Sequence, residues 1–223
     1  MHVVVAAALA AVVPLQAQTR AQSTQPLVAV FAHPDDERII GPLLSRLARE
    51  GRETHLVIAT DGAKGVRDFA RIPAGPELGR LRSALVAILD SLGPAAIITF
   101  GPEGGTGHPD HRLVGNVVTQ IVQSDARHLD VDLLYASLPT ERLRTAPPAR
   151  PGVNGTAEAL LTVRVPFEER DLAAAREEFA CHRSQYTPAE MDAVNRYLEH
   201  AWNGTVWLRP WNGVLRDPGL FVP

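Results

Sequence analysis

Apolar and polar positions recur along the chain with two different periods. Short apolar runs of about six residues end abruptly in polar or glycine-rich segments, which is typical of buried β-strands. Between them, apolar residues recur at helical spacing, as at Ile39, Ile40, Leu43 and Leu47. We therefore predict strands near residues 27–32, 54–60, 94–100, 131–136 and 161–165. Helices are predicted near residues 36–49, 77–92, 111–123, 168–184 and 188–197.

The alternation of strands and helices is the βαβ pattern. It predicts an α/β fold, with a mainly parallel sheet and helices on both faces. A chain of 223 residues is long enough for one domain with a sizeable core. The composition is ordinary for a globular protein, and a net charge of −3 excludes a basic nucleic-acid surface, so no nucleic-acid partner is expected.

The first 18 residues form an apolar run of about the length found in signal peptides, followed by small and polar residues. We predict a signal peptide and linker over residues 1–22, a single domain over residues 23–223, and export to the periplasm or the medium. The alternative is an N-terminal membrane anchor or a buried first helix, although the run is shorter than the ~20 residues that a span needs. No later segment is long and apolar enough to cross a membrane. The single cysteine, Cys181, excludes an internal disulfide and a cysteine-rich zinc site.

Two polar clusters directly follow predicted strands. AHPDDE occupies residues 32–37, and the glycine-rich stretch GPEGGTGHPDH occupies residues 101–111. The carboxyl ends of parallel strands share one edge of a sheet, and open α/β sheets bind ligands there. We therefore expect the two clusters to meet in one site.

The residue types in these clusters indicate metal-dependent hydrolysis. Two imidazoles and one carboxylate, with a position left for water, form the ligand set of a catalytic zinc site, and His33, Asp36 and His111 supply that set. A zinc ion brings the pKa of its bound water from ~15.7 to ~7. Asp35 is then placed to act as general base, and His108, if an acid such as Asp110 holds it protonated, to stabilise an oxyanion.

Each cluster has a simpler structural interpretation when it is taken alone. Asp35 or Asp36 would cap the helix that follows, and Asp110 would be the N-cap of the next helix. Two His/Asp clusters after two parallel strands favour the site. The tryptophans near the C-terminus fit sugar stacking less well than closure of a core, and residues 139–160 look like a long surface loop bordering the site.

The two motifs together resemble the PIG-L/LmbE-like family of zinc-dependent de-N-acetylases. Lesser matches are TDG at residues 60–62, LG at residues 92–93 and HRSQ at residues 182–185. The resemblance implies a Rossmann-like fold and the hydrolysis of an N-acetyl group on an amino sugar or glycoconjugate, with release of acetate. It also implies zinc, or another divalent metal, as the cofactor. The roles it implies are zinc ligation by His33, Asp36 and His111, general-base catalysis by Asp35, and stabilisation of the tetrahedral intermediate by His108 with Asp110 as its partner.

Two departures from the family pattern leave the substrate open. The helix before the third strand supplies Arg80 without the expected glutamate, and Thr106 stands where many members have an aromatic residue. Arg80 is nevertheless a candidate substrate contact. The rival interpretations are a metal hydrolase of another ester or amide bond, and a non-catalytic carbohydrate-binding protein on the same fold.

Overall fold

The computed structural model describes residues 25–61, 76–147 and 152–222. The segment over residues 1–22, predicted as a signal peptide and linker, therefore lies outside the described residues. The same holds for residues 62–75 and 148–151.

Within the described residues, six strands form one sheet. They are β1 Leu27–Phe31, β2 Thr54–Ile58, β3 Ala96–Phe100, β4 Asp132–Ala136, β5 Val163–Pro166 and β6 Thr205–Pro210. Their order in the sheet is β2-β1-β3-β4-β6-β5. The first four strands in that order are parallel, and β6 and β5 continue the sheet in antiparallel pairing. The predicted α/β class with a mainly parallel sheet is confirmed.

Helices cover both faces of the sheet. They are α1 Gly41–Arg49, α2 Pro76–Leu92, α3 Pro109–Ser124, α4 Thr140–Leu143, α5 Glu169–Phe179 and α6 Pro188–Trp202. Alternate residues of β1 point to opposite faces: Phe31 packs with α1 on one side, and Val30 packs with α2 and α3 on the other. Burial on both faces explains why β1 reads as a continuous apolar run. Among the described residues, no helix has the length and apolar character that a membrane span requires.

The carboxyl-terminal half differs from the prediction in its details. The segment around Trp207, for which no strand is predicted, forms strand β6 between β4 and β5. Helix α5 ends at Phe179, earlier than predicted, and α6 continues to Trp202. Trp202 and Trp207 are buried, so their interpretation as core residues is confirmed, whereas Trp211 is exposed.

The order of the strands fixes the place of the site. Helix α1 carries the chain from β1 to β2 on one side, and α2 returns it to β3 on the other side of β1. Such a reversal leaves a crevice at the carboxyl ends of the two central strands. Residues 32–37 leave β1 at this crevice, and residues 101–111 leave β3 beside them.

Candidate active site

His33, Asp36 and His111 lie together at the crevice. His33 Nδ1 is 3.2 Å from His111 Nε2. Asp36 Oδ1 is 3.1 Å from His111 Nε2, and Asp36 Oδ2 is 3.4 Å from His33 Nδ1. A tetrahedral zinc ion with bonds of about 2.0–2.1 Å holds neighbouring donor atoms about 3.3–3.4 Å apart. The three separations are therefore close to those between ligands of one zinc ion, with each imidazole facing a different oxygen of Asp36.

Hydrogen bonds on the far side of each ring set which nitrogen faces this triangle. His111 Nδ1 donates to the carbonyl oxygen of Gly104 at 2.9 Å. His33 Nε2 is 3.2 Å from Asp110 Oδ2, a carboxylate that is almost fully buried and can only accept when ionised. Carboxylate and carbonyl partners of this kind orient metal-binding histidines and fix their tautomers. His33 Nδ1 and His111 Nε2 are consequently left as the lone-pair donors.

The electrostatics of the triangle favour a cation. Burial raises the pKa of Asp36, but hydrogen bonds from His111 and His33 outweigh burial and hold the pKa below its usual range. Burial lowers the pKa of His33, while hydrogen bonds and charge from Asp36 and then Asp110 bring it above its usual value. The carboxyl groups of Asp36 and Asp110 thus favour positive charge on His33.

Helix α3 reaches the site because Gly115 allows a close approach. A Cβ at residue 115 would lie 2.2 Å from the carbonyl oxygen of Phe100, at the end of β3. The Phe100 ring in turn stacks on His111, with ring centres 4.3 Å apart and planes 7° from parallel. Gly115 therefore lets α3 pack closely against the end of β3, and this packing positions His111.

Replacing Gly115 by alanine is expected to destabilise the protein by about 1–3 kcal/mol, because backbone must move to admit the methyl group. Equilibrium unfolding in urea measures the change. Gly79→Ala is the matched control: Gly79 lies on α2 with nothing within 4 Å of the added Cβ, so helix propensity predicts a gain of roughly 0.5–1 kcal/mol. Equal stability changes for the two variants would contradict this account of α3.

Asp35 occupies an unusual backbone conformation beside the triangle. Its φ of 110° lies in the left-handed region, which non-glycine residues rarely adopt. Its N–H donates to Glu37 Oε2 at 3.0 Å, and its Oδ2 accepts from Arg38 Nη1 at 2.8 Å and from the Tyr186 hydroxyl at 2.6 Å. The side chain makes no helix-capping hydrogen bond, so capping does not explain Asp35. Strained backbone of this kind is typical of functional sites.

The Asp36 carboxylate likewise faces back toward the strand. Its Oδ2 accepts from the N–H groups of Ala32 and His33, at 3.2 and 2.8 Å. These bonds lock the carboxylate against the end of β1. Capping of the following helix therefore does not account for Asp36 either.

His108 is the N-cap of α3, the role that the simpler interpretation gave to Asp110. Its Nδ1 accepts the backbone N–H of Asp110 at 3.2 Å, so the neutral ring carries its proton on Nε2. Burial, then the charges of His111 and His33, lower the pKa of His108. The expected protonated form is thus disfavoured, but the neutral ring still offers Nε2–H as a donor. The ring centre lies 4.8 Å from that of His33.

The remaining predicted residues lie at different distances from the site. Arg80 is largely exposed on α2, where it pairs with Glu77, so a substrate contact by Arg80 stays a prediction. The loop over residues 139–160 does border the second cluster, since the Asn154 N–H donates to the carbonyl of Gly105 at 2.5 Å. His182 Nε2 lies 3.5 Å from Glu37 Oε1, which brings the third motif next to the first.

Sequence reasoning missed Arg38 and Tyr186, the two side chains that hold Asp35. Arg38 directly follows the AHPDDE motif, and Tyr186 directly follows HRSQ. Adjacency to a motif is the only signal that pointed to either residue.

The fold and the site define an α/β protein with a cluster of candidate metal ligands at the switch point of its sheet. The sequence model of the PIG-L family, described as GlcNAc-PI de-N-acetylase, matches residues 28–84. Over this segment, which carries the first motif, the chain is similar to the PIG-L family.

Similar curated proteins are bacterial deacetylases. The chain is 27% identical over 159 residues to the 1D-myo-inositol 2-acetamido-2-deoxy-alpha-D-glucopyranoside deacetylase of Rhodococcus jostii (strain RHA1), covering 46% of this chain and 54% of that protein. It is 26% identical to the enzyme of the same name from Saccharomonospora viridis, covering 72% of this chain and 85% of that protein. The chain thus spans about half the length of the first of these relatives.

Solved structures share the fold at low identity. A conserved protein from Thermus thermophilus aligns with a TM-score of 0.60 at 19% identity, covering 87% of this chain and 98% of that chain. The N,N'-diacetylchitobiose deacetylase of Pyrococcus horikoshii aligns with a TM-score of 0.56 at 17% identity, covering 89% of this chain and 88% of that chain. These likenesses support the fold assignment.

Proposed function

We propose that this protein is a metal-dependent hydrolase that removes the N-acetyl group from an amino sugar or glycoconjugate and releases acetate. The observation that carries the proposal is the triangle of His33 Nδ1, His111 Nε2 and Asp36, whose donors lie 3.1–3.4 Å apart beside the carboxylate of Asp35. The match of residues 28–84 to a family model described as a de-N-acetylase supports an N-acetyl amide as the bond that this site breaks.

The donor set fits zinc in the proposed enzyme. Two imidazole nitrogens and a carboxylate oxygen are ligands that zinc accepts, and three protein ligands leave a position open. His33, Asp36 and His111 would hold the ion. When bound, a divalent cation supplies Lewis acidity, which lowers the pKa of a water molecule and polarises an amide carbonyl.

In the proposed mechanism, Asp35 transfers protons and His108 donates a hydrogen bond. Asp35 accepts a proton from the attacking water as its oxygen bonds to the acetyl carbon. His108 donates its Nε2–H to the oxyanion that develops on the carbonyl oxygen. Asp35 then gives the proton to the leaving nitrogen as the C–N bond breaks, so the products are acetate and a free amine.

The names of the similar proteins support an N-acetylglucosamine-type substrate. The curated relatives are named for a 2-acetamido-2-deoxy-glucopyranoside, and one similar structure is named for diacetylchitobiose. Both names describe N-acetylated amino sugars. We extend this class to the present chain as a proposal, with the sugar's aglycone left open.

The proposal is tested with purified protein and a panel of N-acetylglucosaminides, measuring acetate and free amine together. The expected result is equal release of both products from at least one substrate. Matched O-acetyl sugars test the rival ester hydrolase, which would release acetate without amine. Calorimetric binding of a panel sugar with neither product released would indicate a carbohydrate-binding protein instead.

The buried pair of Asp110 and His33 allows a prediction about metal affinity. Asp110→Asn removes the carboxylate that orients His33, and we expect zinc affinity to fall about 10–100-fold, the usual effect of losing such a partner. Titration against a competing chelator measures the affinity. Asp130→Asn is the matched control, because Asp130 is fully exposed and pairs with Arg216 away from the site. Unchanged affinity in Asp110→Asn would show that Asp110 does not support the ligand.

We also propose that the protein is exported, on the basis of the apolar run in residues 1–18. Amino-terminal sequencing of the protein recovered from an expressing bacterium tests this. A mature chain that begins near residue 18–23 is expected, and a chain that retains Met1 would contradict export by cleavage.

A further inference from the structure

Three hydrogen bonds link Arg38, Tyr186 and Asp35 into a closed network. This network lies next to the candidate metal ligands. Arg38 Nη1 is 2.8 Å from Asp35 Oδ2 and 2.8 Å from the Tyr186 hydroxyl. The Tyr186 hydroxyl in turn donates to the same Asp35 Oδ2 at 2.6 Å. Each of the three groups is therefore oriented by the other two.

The guanidinium of Arg38 is itself fixed by aromatic rings. Its central carbon lies 5.1 Å from the ring centre of Phe179 and 5.2 Å from that of Tyr186, within the range of cation–π attraction. A charged group held between two rings and paired with a carboxylate has little freedom to turn. Arg38 can thus act as a rigid donor.

The segment that carries Tyr186 is tied to the first motif at a second point. Gln185 Nε2 donates to the carbonyl oxygen of Pro34 at 3.5 Å, and the Tyr186 N–H donates to the carbonyl of His182 at 3.2 Å. The turn after α5 therefore lies over residues 34 and 35. This turn brings the Tyr186 hydroxyl to Asp35.

Both donors bind the same oxygen of Asp35. A carboxylate held through Oδ2 has its torsion fixed, and its Oδ1 is the oxygen that remains for proton transfer. Resting on the function proposed above, we propose that Arg38 and Tyr186 are positioning residues, which hold Asp35 through Oδ2 so that Oδ1 receives the proton of the attacking water.

Tyr186→Phe tests the proposal with the smallest change. The phenyl ring stays beside Arg38 and Phe179, and only the hydroxyl is lost. We expect kcat for acetate release to fall about ten-fold, the effect of removing one hydrogen bond to a charged group, with KM and zinc content unchanged. Tyr135→Phe is the matched control, since the Tyr135 hydroxyl bonds Thr119 on α3, outside the network of Arg38, Tyr186 and Asp35.

Arg38 variants give the larger effect and a rescue. Arg38→Met keeps an unbranched side chain that can pack on the aromatic rings but removes the charge, and we expect a fall in kcat of about a hundred-fold. Arg38→Lys restores one charged donor and is expected to recover part of that loss. Equal kcat values for the methionine and lysine variants would show that the donor is not what matters.

A double-mutant comparison distinguishes positioning of the Asp35 carboxylate from a general packing effect of Tyr186. In an Asp35→Asn background, Tyr186→Phe should change the residual kcat less than about two-fold, because the carboxylate it orients is gone. The same ten-fold loss in both backgrounds would place the action of Tyr186 elsewhere and overturn the proposal. Unchanged kcat in the single Tyr186→Phe variant would overturn it as well.

Crystal structures of Tyr186→Phe and Arg38→Met give a readout that does not depend on activity. We expect the Asp35 carboxylate to rotate or to occupy more than one conformer in each. A single unchanged conformer in both variants overturns the positioning role. If the wild-type protein releases no acetate from any substrate, the proposed function fails, while these structures still decide whether Arg38 and Tyr186 fix Asp35.

Discussion

Replacing Asp35 by asparagine is expected to reduce acetate release about 10²–10⁴-fold, the range typical for loss of a general base. Asparagine keeps the size of the side chain and an oxygen that can accept from Arg38 and Tyr186, but its amide cannot take the proton of water. Because Asp35 is not one of the three ligands, the variant should still bind one zinc ion per chain. Initial rates together with elemental analysis of the purified variant measure both effects.

Asp130→Asn is the control for Asp35→Asn, since it makes the same change at a fully exposed position. Wild-type rates in Asp35→Asn would contradict the role of this residue as base. Loss of zinc together with activity would instead make Asp35 part of the metal site.

Replacing His111 by alanine should remove zinc and activity together. The substitution deletes the Nε2 donor and removes one of two hydrogen bonds to the carbonyl of Gly104, the other coming from the Gly107 N–H. We expect zinc affinity to fall by more than the about 10–100-fold assigned to a supporting residue such as Asp110. Chelator titration measures the affinity, and circular dichroism confirms that the variant is folded.

His55→Ala is the matched control for His111→Ala. His55 lies on β2 and pairs with the exposed Glu53, so its loss should leave zinc affinity and acetate release unchanged. A His111→Ala variant that binds zinc as tightly as wild type would contradict the assignment of the ligands. Together, the Asp35 and His111 variants separate proton transfer from metal binding.

The meeting of the two motifs could be predicted from the sequence, because the strands that carry them are recognisable from their own residues. Strands β1 and β3 are continuous apolar runs, and each ends directly at a His/Asp cluster. Parallel strands align their carboxyl ends, so neighbouring strands must bring the clusters together. The positions of His33, Asp36 and His111 follow from this geometry.

The contacts around Asp35 were not predictable in the same way. Residues 38 and 186 are separated by 148 positions, and their meeting depends on how the turn after α5 lies against the first motif. No local periodicity encodes that packing. Strand β6 was missed for a related reason, since its pairing with β4 and with β5 depends on segments distant in sequence.

The role of Asp110 also depends on tertiary geometry. Sequence adjacency and family resemblance paired Asp110 with His108, and in the structure its backbone N–H does bond the His108 ring. Its carboxylate, however, lies against His33, which comes from the other motif. Helix α3 begins between these residues, and the direction of its first turn decides which ring the carboxylate meets.

A zinc titration of the metal-free protein tests the central claim most directly. Acetate release from an N-acetylglucosaminide is followed as zinc is added, starting from protein treated with a chelator. We expect no release without metal, and a rate that rises linearly and levels off at one zinc ion per chain. Full activity in the metal-free protein, or no acetate at one bound zinc ion from any substrate of the panel, would contradict a metal-dependent de-N-acetylase at this site.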